Sequence, residues 1–241
     1  MRIAVISDIH GNMEALGEVL GDIKKSDVDT TVCLGDMIGY GPEPEAVVQL
    51  IKSRGIPTIM GNHELAVIDP SYLKWFNPAA RQSILTTIPW LSEDSMDFIA
   101  RLKPFITMHG SRFVHGFPPD SVIIYLFQID DKGLLSALKK LDEKICFVGH
   151  THKMAIASHD GDTVIRAPLE RGPVTLSADK TYIINTGSVG QPRDGDNSAK
   201  YLIWDLDDHS VDVRFVPYHI ARVSNKIVEA GLPEVHAARL W

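Results

Sequence analysis

The chain has 241 residues, 44% hydrophobic and 23% charged, proportions that exclude collagen-like, low-complexity and disordered classes. Twenty-four basic against 31 acidic side chains give a net charge of −7, the wrong sign for holding nucleic acid by phosphate neutralisation. No apolar run approaches the ~20 residues of a membrane span and no secretory signal pattern opens the sequence, so a cytoplasmic protein with no membrane partner is expected.

The first 150 residues alternate short β-branched runs with amphipathic segments, the pattern of strand-helix units on a largely parallel sheet. Residues 3–6 read as a strand. Met13, Leu16, Val19, Leu20 and Ile23 then recur at spacings of three and four, which predicts a helix over 12–25 with one buried stripe. A second strand is expected at 31–34, a helix at 43–53 with Pro44 in its first turn and Gly55 at its stop, and a third strand at 57–60. Between 69 and 104 two helical patterns, 78–87 and 92–102, occur without a strand and read as a helical insertion.

Strand patterns resume at 112–114 and 144–148 around a helix at 133–141. From Met154 the period becomes two, with runs at 155–158, 163–167, 182–185, 201–205 and 211–216 joined by the turn signals Asp160-Gly161-Asp162 and Asp207-Asp208, so antiparallel hairpins are expected. Cys33 and Cys146 lie inside apolar runs and read as buried thiols rather than a disulfide. One domain over 1–241 accommodates these elements, as an α/β (α+β) fold in which two sheets pack face to face with helices outside.

The ten histidines are not scattered evenly. The first strand runs into Asp8-Ile9-His10, the second into Gly35-Asp36, the third into Gly61-Asn62-His63-Glu64, the fourth into His115-Gly116 and the fifth into Gly149-His150-Thr151-His152. Ligands of open α/β sheets bind outside the carboxyl ends of the strands, so five such ends bring these groups to one cleft. Carboxylate, imidazole and carboxamide without thiolate suit Mn²⁺, Fe²⁺, Zn²⁺ or Ni²⁺ better than Ca²⁺ or a structural zinc site. Any one block occurs by chance as a strand-end turn or cap; the five together, each at a strand end, do not.

As a set these blocks resemble the calcineurin-like metallophosphoesterase superfamily, and the β-rich tail agrees with that family's four-layer α/β/β/α sandwich of two mixed sheets. The resemblance implies two divalent metal ions, manganese first among the candidates. Asp8, His10, Asp36 and His152 would hold one, and Asp36, Asn62, His115 and His150 the other, with Asp36 bridging. It further implies hydrolysis of a small-molecule phosphoester by a hydroxide shared between the ions, with His63 as general acid and with Asn62 and His63 also facing substrate. Such chemistry needs a proton for the departing alkoxide, and a histidine beside a ligand but outside the ligand set is placed to give it. An oligomer is compatible with all of this.

Protein phosphatases of the superfamily carry Gly-Asp-x-x-Asp-Arg-Gly where this chain has Gly35-Asp36-Met37-Ile38-Gly39-Tyr40-Gly41. Both the Asp that orients the acid histidine and the phosphate-holding Arg are absent, which favours a diester substrate over a phosphoprotein; phosphomonoesters and dinucleoside polyphosphates stay open. The Gly-Tyr-Gly-Pro continuation and Gly187 to Asp194 resemble instead the small prokaryotic YfcE-like phosphodiesterases, also labelled diadenosine tetraphosphatase-related. Arg193 is the candidate phosphate contact, the alternative being a structural pairing with Asp194 or Asp196. Trp75, Phe76 and Arg81 of the insertion either lid the cleft and stack on a base or aryl group or simply pack. His109, His159, His209, His219 and His236 read as surface or core residues, with His109 a poorer alternative to His115 as a ligand. A non-catalytic metal-binding scaffold of the same fold is the alternative function, and the presence of His63 favours the enzyme.

Overall fold

The computed structural model describes residues 1–241. In chain order the elements are β1 (Arg2–Ile6), α1 (Met13–Ile23), β2 (Thr30–Cys33), α2 (Pro44–Ser53), α3 (Asn62–Ile68), α4 (Pro78–Thr87), α5 (Glu93–Ala100), β3 (Phe105–Met108), β4 (Ser111–Val114), α6 (Asp131–Leu138), β5 (Ile145–Val148), β6 (Met154–His159), β7 (Val164–Pro168), β8 (Gly172–Thr175), β9 (Thr181–Thr186), β10 (Ala199–Asp205), β11 (Ser210–Val216), α7 (Ile220–Glu229) and α8 (Glu234–Ala238).

Two mixed sheets form, of order β2-β1-β10-β11-β8 and β3-β4-β5-β9-β6-β7. β1 pairs in parallel with β2 and β4-β5-β9 are parallel to one another, while the β3-β4, β6-β7 and β10-β11 hairpins are antiparallel. Strand alternation divides each sheet between two cores. Ile3, Val5, Val32 and Leu34 of the first sheet meet Phe113, Phe147 and Ile184 of the second between the sheets. Ala4, Ile6 and Cys33 point the other way, into the stripe Ala15, Leu16, Val19 and Leu20 of α1 and Val47, Val48 and Ile51 of α2. On the far side of the second sheet Val114, Cys146 and Val148 pack on Leu134 and Leu138 of α6. The layers are therefore α/β/β/α, as expected, and both cysteines are buried and free.

The helix starts follow from local chemistry. Asn12 Oδ1 accepts the Ala15 N–H at 3.0 Å and caps α1, so the predicted start at Asn12 becomes the cap. Pro44 opens α2, and Gly55 ends that segment at φ +61°.

One expectation needs correction, and three features were not foreseen. Residues 57–60 are not a strand, because Pro57 has no N–H to donate and the segment changes partner within two residues. Ile59 donates to Cys33, but Met60 donates to Lys103 instead. β3 escaped the periodicity because it is a four-residue edge strand directly after Pro104; its hairpin turn is His109-Gly110, both at positive φ, which gives His109 a turn role. β8 is likewise a four-residue edge strand and includes Pro173. The C-terminal pair α7–α8 carries only a narrow buried stripe, Val223 and Ile227 on α7, and is tied back by Lys226, whose Nζ lies 2.6 Å from Glu14 and 2.9 Å from Glu43.

Candidate metal centre

The loops after β1, β2, β4 and β5, with the first turn of α3, converge at one end of the sheets. Their backbones are cross-tied: Asp8 N–H donates to Gly35, His10 N–H to Asp36, Gly149 N–H to His115, and Gly190 N–H to Asp8. Asp8, His10, Asp36, His150 and His152 all adopt left-handed φ, between 50° and 67°, which turns their side chains out of the strand direction and into a common space.

Asp8, His10, Asp36, Asn62, His115, His150 and His152 are all buried and come together there, in the overlapping groups Asp8–His10–His152 and Asp36–His115–His150. The donor set is short of donors. His10 Nδ1 lies 2.9 Å from the Ile38 carbonyl and His152 Nδ1 2.6 Å from the Gln191 carbonyl, so in both rings Nδ1 carries the hydrogen. Their Nε2 lone pairs then face each other at 3.1 Å, with Asp8 Oδ1, itself without a hydrogen-bond partner, 3.2 Å from His152 Nε2. A cation between them removes the repulsion, and neutral imidazoles with Nδ1–H fixed by carbonyls are the usual metal-holding tautomer.

The second group has the same character. His115 Nδ1 donates to the Leu34 carbonyl at 2.8 Å, while its Nε2 faces Asn62 Oδ1 at 3.1 Å and Asp36 Oδ2 at 3.3 Å. Burial opposes a charge on His115, but the Asp36 carboxylate prevails and raises the group to about 9. Burial lowers His150 to about 3 and His152 to about 4, so both are neutral and able to ligate. Burial alone would raise the carboxyls of Asp8 and Asp36, yet the imidazoles around them hold both well below the usual carboxylate range. Asp36 Oδ1 accepts the His63 N–H at 2.9 Å, which leaves Oδ2 between His115 Nε2 and His10 Nε2, at 3.3 and 3.8 Å. The donor types and their spacing fit ligands for divalent metal.

Glu64 is an organising residue that motif reading passed over. Fully buried, it accepts the N–H groups of Asp36, Met37, Ile38 and Gly61 at 2.7 to 3.3 Å and so fixes the loop that carries Asp36. Burial and the Asp36 charge push its carboxyl up to about 7 against the pull of those donors. Its position three residues after Gly61, at the third residue of a helix start, was the available signal. Glu64→Gln should cost about 1–3 kcal/mol, because an amide NH₂ then faces an N–H donor; urea denaturation of the metal-free variant reads this directly.

His63 lies beside this set. Its Nε2 is 3.9 Å from Asp36 Oδ2, which also groups it with His10 and Asp36, and its buried Nδ1 has no partner. Gly39 explains the second fact: at φ +129° its backbone passes so close that a Cβ there would sit 2.3 Å from Nδ1, so no side chain can reach in to hydrogen-bond it. The ring is instead held between the edges of Tyr40 and Phe76, with centroids at 4.8 and 4.9 Å and near-perpendicular planes.

A cavity of about 230 Å³ opens over these groups, with Trp75 and Phe76 on one side and Tyr125 and Arg193 among the other lining residues. Arg193 is not paired with the neighbouring aspartates. Buried Lys200 takes Asp194, and the guanidinium of Arg193 donates only to Gln191 Oε1 at 2.9 Å, leaves a buried Nε without a partner and lies 5.5 Å over the Tyr40 ring. Arg81 does not line the cavity; it donates to the Leu73 and Phe76 carbonyls and braces the turn before α4. Of the other histidines, His159 and His219 accept local N–H groups, His209 occupies a turn at φ 46°, and His236 is buried with its ring 4.6 Å from Tyr40.

Comparison with known proteins agrees with this geometry. An uncharacterized protein of Methanocaldococcus jannaschii is 38% identical over 99% of this chain and 97% of its own length. The crystal structure of a metallophosphoesterase from Sphaerobacter thermophilus superposes with a TM-score of 0.85 at 35% identity, covering 100% of this chain and 98% of that one. A hypothetical protein from Pyrococcus horikoshii shares the fold at 18% identity, with a TM-score of 0.79 over 100% of this chain and 97% of its own. Residues 1–209 match the calcineurin-like phosphoesterase superfamily domain, and with that match and the 38%-identical relative the chain belongs to that superfamily.

Proposed function

We propose that the protein is a dinuclear metal-dependent phosphodiesterase acting on small molecules. The observation that carries this reading is the convergence of acceptor atoms around Asp36 Oδ2, with an imidazole, His63, beside them and free of hydrogen-bond partners. Asp8, His10, Asp36 and His152 hold one ion, and Asp36, Asn62, His115 and His150 the other. Two divalent ions there supply Lewis acidity toward phosphoryl oxygens and lower the pKa of water toward neutrality; manganese is the first metal to test.

The chain's own residues do the rest. Asn62 and Arg193 orient the phosphate, Arg193 through a guanidinium with N–H groups to spare. His63 donates a proton to the departing oxygen. Tyr40 and Phe76 fix its ring, the task that a carboxylate performs in protein phosphatases.

With Mn²⁺ added, bis-p-nitrophenyl phosphate should be hydrolysed in preference to p-nitrophenyl phosphate and to phosphoserine peptides. Phosphate release from the peptides without diesterase activity would overturn the assignment. Gly39→Ala tests how His63 is held: the added methyl meets the His63 ring at 2.3 Å and His10 Nδ1 at 3.0 Å, and a His63 displacement near 1 Å should lower kcat for an alkyl diester about 10²-fold, with metal content measured in parallel. Unchanged kcat would remove His63 placement from the account.

A further inference from the structure

Trp75 lines the cavity, yet packing does not explain its place. The 3₁₀ turn Pro70–Trp75 that carries it packs Tyr72 and Leu73 half-buried against the core, whereas the indole of Trp75 is 69% exposed. Nor is the turn loose: Asp69 caps it through the Ser71 N–H at 2.9 Å, and Arg81 clamps the Leu73 and Phe76 carbonyls. A large apolar side chain is thus held rigidly in water at the mouth of a polar site, the arrangement of a contact surface kept ready for a ligand.

The next residue connects this surface to the chemistry. Phe76 and His63 meet in a T-shaped contact with centroids 4.9 Å apart, and Trp75, Phe76 and His63 all line the cavity. Across the cavity Tyr125 stacks on His150 at 3.6 Å, with planes 15° apart. If His63 protonates the leaving oxygen, a step that rests on the phosphodiesterase reading above, the leaving arm of the substrate must lie along the Phe76 side of the cavity.

We infer that Trp75 and Phe76 form a subsite for a planar aromatic leaving arm, a nucleobase or aryl group, of the phosphoester substrate. Aromatic faces and edges recognise a flat π-system by stacking without hydrogen-bond readout, so the subsite selects planarity more than identity. A cationic arm is disfavoured, because Lys74 Nζ already lies over the indole, 5.9 Å from its centroid. The cavity, about 230 Å³, is at the small end of ligand pockets, which suits a compact ring system better than an extended chain.

The test compares two methyl diesters matched in leaving-group acidity but not in planarity, methyl phenyl phosphate and methyl hexafluoroisopropyl phosphate. Trp75→Ala should lower the phenyl to hexafluoroisopropyl ratio of kcat/KM about tenfold, the worth of one good stacking contact. Trp75→Phe should keep the ratio within about threefold of the wild type. An unchanged ratio in Trp75→Ala overturns the subsite. Binding decides the matter independently of turnover: with Mn²⁺ present, phenylphosphonate should bind about tenfold more tightly than ethylphosphonate, and Trp75→Ala should erase that difference. If neither diester is hydrolysed, the phosphodiesterase reading falls while the phosphonate affinities still judge the subsite; equal affinities in the wild type overturn it.

Discussion

Replacing Asp36 by asparagine should strip both ions from the protein and lower kcat/KM by about 10³-fold, several kcal/mol of lost transition-state stabilisation. The expectation follows from one oxygen. Asp36 Oδ2 lies 3.3 Å from His115 Nε2 and 3.8 Å from His10 Nε2, and so faces both groups of acceptors, while Oδ1 is spent on the His63 N–H. An asparagine keeps the size but brings no charge, and its NH₂ placed inward would point donors at the ions. Metal analysis of protein purified without chelator should approach two ions per chain for the wild type. A wild type with one reproducible ion that Asp36→Asn retains would sink the shared-carboxylate arrangement.

The second large effect concerns His63. His63→Gln or His63→Ala should keep both ions, since the side chain supplies none of the seven proposed ligands, and should lower kcat about 10²- to 10⁴-fold for an alkyl diester, the usual span of general acid catalysis. A p-nitrophenyl diester should lose much less, because p-nitrophenolate departs with little protonation. That inequality separates proton donation from mere support: a displaced ion or distorted ligand slows good and poor leaving groups alike. Equal losses, or loss of metal from the variant, would move His63 from the reaction to the scaffold. His63 belongs geometrically to the group His10–Asp36–His63, so metal content must be measured alongside the rates.

Most of this architecture was legible because it depends on local periodicity. The spacing of Leu16, Val19, Leu20 and Ile23 dictates a one-sided helix, and the turn signals at 160–162 and 207–208 place the hairpins β6-β7 and β10-β11. Six of the seven candidate ligands were readable for a different reason: they follow strand ends, which topology brings together whatever their separation in sequence, whereas Asn62 opens α3. What stayed hidden depends on tertiary partners. Glu64 looks like any helix-start glutamate until the Asp36 loop is folded over it. Gly39 and Tyr40 read as missing phosphatase side chains, whereas in the fold they set the room and the packing around His63. The segment 57–60 has a strand's composition but finds a different neighbour on each residue. Arg81, grouped by sequence with the lid aromatics, serves the backbone of their turn instead.

The left-handed backbone at Asp8, His10, Asp36, His150 and His152 has an evolutionary side. Each such residue costs about 1 kcal/mol relative to a glycine in the same conformation, and asparagine tolerates it more easily than most. The five positions are therefore places where the protein is less stable than its topology permits, and where random substitution toward glycine relieves the main chain as it abolishes the side chain. A lineage that kept this sandwich for another purpose would erode first at these corners, with the cores on either side of the sheets left intact. The backbone angles at these strand ends are thus a cost that the cores on either side do not require.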